Sequence, residues 1–167
     1  MRVANNIRVR RAALALSKAG DLHEMFEALR HLLEFGEFTF ANAQVGQAGR
    51  AELNEWAFAV SLQRHPKQEL QFRNGRVLWS WSKSGENDDS APERSEWSFR
   101  LPLVKDGIEW GWLNFYHSLD GQALLVDTNY LSDLFRREFT EAAARIFTDY
   151  EVADAAPALA MQMAAKG

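Results

Sequence analysis

The sequence predicts an α+β domain in which two helices are followed by six antiparallel strands and one long closing helix. Three observations carry this. Leu22, Met25, Phe26, Leu29, Leu32 and Leu33 recur at three- and four-residue steps. After Gly36 the apolar period falls to two. From Leu131 to Phe147 a helical stripe returns.

Taken in order, the first eleven residues carry Arg2, Arg8, Arg10 and Arg11 and no acid. That is either a solvated helix start or a juxtamembrane or linker segment. Residues 1–9 are read as a basic lead, with a first helix over about Ile7–Lys18. Gly20 stops it. Asp21 and Glu24 then form a D-x-x-E cap, in which Asp21 accepts an early backbone N–H and Glu24 reaches back.

Phe38 to about Val45 reads as the first strand, and Trp56, Phe58, Val60 and Leu62 alternate as a second, broken at His65-Pro66. Asn74-Gly75 lies between two alternating runs, the signature of a two-residue type I′ hairpin loop. That loop sets Arg73 opposite Arg76, Phe72 opposite Val77 and Leu70 opposite Trp79. Leu70, Phe72, Val77, Trp79 and Trp81 then share one face, and Leu78 is the one residue the register leaves unsatisfied. Lys83–Ser95 is polar and aperiodic, and reads as a mobile loop.

A second hairpin runs out through Trp97, Phe99, Leu101 and Leu103, turns at Lys105-Asp106-Gly107 and returns over Ile108–His117. Pro102 within it needs an edge or a bulge for its missing N–H. Asp127 or Thr128 caps the last helix, over about Asn129–Asp149. Residues 151–167 are Ala-rich, interrupted at Pro157, and read as a frayed tail.

Composition excludes more than it assigns. The chain has 167 residues and no Cys, which removes disulfides and thiolate chemistry. No apolar run reaches the roughly 20 residues of a membrane helix. A net charge of −4 argues against nucleic acid as a partner. No G-x-S-x-G, glycine-rich phosphate loop or spaced carboxylate pair appears. His23 and His31 are too far apart on their helix to share a metal, and Glu86, Asp88 and Asp89 lack the alternation of a cation loop. No catalytic residue, metal or cofactor is therefore expected, and the chain is not read as an enzyme.

What stands out is aromatic content, six Trp and eleven Phe. Alternation sets Ile108, Trp110, Trp112, Asn114 and Tyr116 on one strand face and Gly111, Leu113 and Phe115 on the other. Gly111 between two Trp marks a close backbone approach, with the helices expected over that face. Trp79, Trp81, Trp110, Trp112, Asn114 and Tyr116 are the candidate ligand-binding or interface residues. Plain core filling is the competing reading.

The segments LSKAGDLHEMFEALRHLLE, FRLPLVKDGIEWGWLNFY and LSDLFRREFTEAAARIF together resemble a GAF-type sensor domain across residues 10–150. The likeness rests on the D-L pattern of the second helix and on Pro102-Leu103, Gly107, Gly111 and Leu113 of the hairpin. It implies that the final helix packs beside the first two on one sheet face, and that the first and the final helix pair copies into a weak homodimer. Phe135, Phe139 and Phe147 are expected to exceed what one sheet face buries. Members that bind small molecules carry a helical roof over the other face; the polar Lys83–Ser95 segment in that slot is a poor apolar lid.

RRAALALSKAGDLHEMFEALRHLLE further resembles the soluble domain attached behind the membrane part of bacterial undecaprenyl-phosphate sugar-1-phosphate transferases. The two likenesses imply a non-catalytic regulatory or interaction domain, cytoplasmic, reaching a membrane only through a fused segment. A small-molecule receptor with a closed pocket and an unfamiliar enzyme are the alternatives.

Overall fold

The structure is a computed structural model that describes residues 2–34, 38–47, 67–73, 75–85, 97–117 and 128–148. The elements are α1 (Arg2–Lys18), α2 (Leu22–Glu34), β1 (Phe38–Gly46), β2 (Gln68–Arg73), β3 (Arg76–Ser82), β4 (Trp97–Lys105), β5 (Ile108–His117) and α3, over 128–148. The α+β class stands. The sheet has five strands among the described residues, not six; the strand expected at Trp56–Leu62, the polar stretch 86–95 and the tail 151–167 lie outside them.

All pairings are antiparallel, in the order β2-β3-β1-β5-β4. The first hairpin has the expected register, Arg73 opposite Arg76, Phe72 opposite Val77 and Leu70 opposite Trp79. Gly75 has φ +77°, a conformation Ala resists. Pro102 lies on β4, at the sheet edge, where a missing donor costs no ladder bond.

The helices close one face of this sheet. Asp21 Oδ1 accepts the Glu24 N–H at 2.8 Å, and Glu24 Oε2 accepts the Gly20 N–H at 3.0 Å, so the expected cap forms with its return bond one residue earlier. Residues 2–9 are the opening turns of α1 rather than a separate lead, and the Val9 side chain is fully buried. Arg145 on α3 donates to the carbonyls of Leu16 and Ala19, at 3.1 and 2.7 Å, and so satisfies the end of α1.

Phe26 of α2 stacks on Trp79 with ring centroids 5.3 Å apart and meets Phe139 of α3 at 6.2 Å. Along its middle the central strand presents Ala41, Ala43 and Val45 to this layer, between the larger Trp81, Trp79, Phe115 and Leu113 of its neighbours, while Phe38 at its start packs on Phe115. Small side chains at mid-sheet leave the space those rings fill.

Three expectations are corrected here. Phe135, Phe139 and Phe147 are 0%, 0% and 2% exposed, so the three helices and the sheet bury them within one chain, and they are not the surplus apolar area expected of them. Among the described residues, the large apolar side chains that stay exposed on the helices are Ile7 and Leu14 of α1. Trp79 and Trp81 are each 1% exposed in the core rather than on a binding surface.

The third correction concerns β5. Its register with β4 steps from Leu103–Gly111 to Val104–Glu109, so Trp110 is the extra residue of a β-bulge. The bulge reverses the alternation. Trp110 joins the helix face, 6.3 Å from Phe147, instead of lying beside Trp112. Gly111 is required for a different reason from the one expected. It has φ +113°, and a Cβ there would collide with the Gln44 carbonyl of β1, not with a helix.

Candidate functional site

The other sheet face is organised differently. Register places Arg100, Asn114, Asn42, Ser80 and Glu69 in one row that crosses all five strands. The row beside it holds Pro102, Trp112, Gln44, Leu78 and Gln71. Leu78, the residue that the hairpin pattern could not place, stands here among polar neighbours. On the other side Tyr116 stands opposite Phe40, with ring centroids 5.4 Å apart.

The central row is bonded at its Arg end. Arg100 Nε donates to Asn114 Oδ1 at 2.9 Å, and Asn114 Nδ2 donates to Asn42 Oδ1 at 2.7 Å. Asn114 is 9% exposed, so its amide is a buried polar group that this chain satisfies. Trp112 is held between two guanidiniums, Arg100 at 5.0 Å and Arg76 at 5.4 Å from its ring centroid. Both lie within cation–π reach, and this fixes the indole and the cations together. Glu109 answers the Arg76 charge only loosely, at 3.8 Å. Over these residues lies a concavity of about 430 Å³, within the range of small-ligand sites.

Of the six residues singled out from the sequence, Trp112, Asn114 and Tyr116 lie together on this face. Trp79, Trp81 and Trp110 belong to the helix side. Trp79 is tied into a structural chain: its Nε1 donates to Gln68 Oε1 at 2.9 Å, and Gln68 Nε2 donates to Glu27 Oε1 at 3.3 Å. Arg30, bonded to that carboxylate, holds the Glu27 pKa below its ordinary value.

Arg100, Arg76, Asn42, Gln44 and Ser80 were missed. Their signal was present in Asn42 and Gln44, polar residues alternating with Ala41, Ala43 and Val45 in a strand, where Asn is disfavoured.

Among the described residues no three His, Asp or Glu side chains gather to hold a metal ion. His23 and His31 lie on α2, and His117 is buried at the end of β5 against Phe38. His65 lies outside the described residues, as do Glu86, Asp88 and Asp89. No described helix is long and apolar enough to cross a membrane. No protein-family model, curated protein or solved structure matches the chain.

Proposed function

We propose that the chain is a non-catalytic sensor domain of GAF-like type whose open sheet face recognises a small polar ligand. The observation that carries this reading is the polar row Arg100–Asn114–Asn42–Ser80–Glu69, with Trp112 pinned beside it. Asn is a poor strand former, and two of them paired at mid-sheet do nothing for packing. A preorganised array of hydrogen-bonding groups beside an indole is instead what a polar ligand needs. The concavity of about 430 Å³ is of a size that a small molecule fills.

The GAF-like assignment is supported by the helices lying together on the opposite face from this array. On the same reading the domain is a cytoplasmic appendage of a larger protein, a membrane sugar-1-phosphate transferase being the parent that the N-terminal likeness suggests. It forms a weak homodimer through α1, whose Ile7 and Leu14 are 45% and 57% exposed and one heptad apart.

Nitrogen–proton NMR on the full chain, with a panel of small polar metabolites, tests the recognition reading. A ligand should shift the Trp112 indole and the Asn42 and Asn114 side-chain amides. Compounds that perturb only α1, or nothing on this face at millimolar concentration, would overturn it.

A further inference from the structure

We infer that the open face is built to receive an oxyanion, a carboxylate or phosphate group on a small ligand, between Arg100 and Asn42; this rests on the recognition reading above and adds the ligand's chemistry.

Arg has donors and no acceptor, so the Asn114 atom that meets Arg100 Nε must be the carbonyl oxygen. Asn114 then presents its NH₂ to β1, and the Asn42 atom that meets it must again be the oxygen. One cation thus sets the orientation of both amides, independently of how amide oxygen and nitrogen are told apart. Asn42 is left with its own NH₂ turned away from this chain of bonds, and it has no acceptor among the described residues.

Arg100 spends only Nε on Asn114, and its terminal nitrogens have no carboxylate partner among the described residues. Its plane is held by Trp112. The acid of the row, Glu69, stands four strands away, about 19 Å at ordinary strand spacing, too far to neutralise it. The unspent groups at this end are therefore N–H donors around a fixed positive charge. That is a surface for lone pairs and negative charge, which Arg meets with paired N–H bonds.

The test uses sodium phosphate, sodium succinate and neutral succinamide as probes, titrated into the full chain at constant ionic strength. Phosphate or succinate should give saturable shifts at the Asn42 side-chain amide and the Trp112 indole, and their ranking separates a phosphate from a carboxylate ligand. Arg100→Gln, which keeps a donor for Asn114 but loses the charge, should weaken that binding about tenfold or more. Arg100→Lys should fall between the two. A urea midpoint close to that of the parent chain will show that each variant is folded.

Saturable binding of succinamide with no response to either anion would overturn the oxyanion assignment and leave the recognition face standing. Unchanged anion affinity in Arg100→Gln would overturn it as well. Silence from all three probes also overturns it, and the metabolite panel then decides the recognition reading by itself.

Discussion

The two faces of one sheet follow opposite rules. Beneath the helices, the rows are Phe99–Phe115–Ala41–Trp81, Leu101–Leu113–Ala43–Trp79–Leu70 and Leu103–Gly111–Val45–Val77–Phe72. These residues are apolar or glycine, and the polar Gln68 that closes the first row opposite Trp81 is itself bonded to Trp79 and to Glu27 of α2; the contacts are those of a jigsaw core. On the other face the same strands carry Arg100, Asn114, Asn42, Ser80 and Glu69 in one row. The first face supplies the stability by burial. The second adds hydrogen bonds that folding from water nets little from. The contrast teaches where to look for function: at the face whose residue choices stability does not explain.

Substitutions should separate the faces by size of effect. Phe139→Ala, deep in the helix layer, should cost about 3–5 kcal/mol in urea unfolding. A loss below about 1 kcal/mol there would mean the helices are not seated on the sheet as described. Gly111→Ala comes next. The positive φ and the approach of the Gln44 carbonyl should together cost about 2–3 kcal/mol, through the seam that joins β1 to β5. Gly75→Ala affects one hairpin end and should lower stability by about 1 kcal/mol, and an unchanged midpoint would count against the turn.

Smaller effects sharpen the contrast. Glu27 has its pKa lowered, first by its hydrogen bond to Arg30, so it contributes stability above the ordinary carboxylate value of 4.5 that is lost as pH falls through the depressed value. The stability gap between the parent chain and Glu27→Gln should therefore be present at pH 7 and shrink as the medium is acidified below 4.5. A gap independent of pH would show that the pair is inert. Smallest of all, Arg100→Gln on the exposed edge strand should change the free energy of urea unfolding by less than about 0.5 kcal/mol while removing the anion response.

How legible each face was in the sequence follows from the range of the interactions that define it. Leu70 opposite Trp79 could be read because a two-residue turn fixes register between residues only nine positions apart. The helix cap at Asp21 is equally local, complete within five residues. The Asn42–Asn114 pair spans 72 positions and exists only because β5, and no other strand, lies against that side of β1. No local pattern states that choice. Trp110 failed for a subtler reason. Strict alternation assigns it to the face of Trp112, and the single extra residue of the bulge transfers it to Phe147. Gly111 was the visible trace of that bulge, although its sequence context suggested a helix contact rather than a strand carbonyl.

The central claim is that the polar row is kept for recognition and not for the fold. The most direct measurement is the urea midpoint of the double variant Asn42→Val/Asn114→Val, which removes both partners of the central bond and installs a strong strand former at each place. The account predicts a midpoint equal to or above that of the parent chain, together with loss of the anion-induced shift at Trp112. A fall worth more than about 1 kcal/mol would contradict it, because the row would then be part of what holds the sheet together.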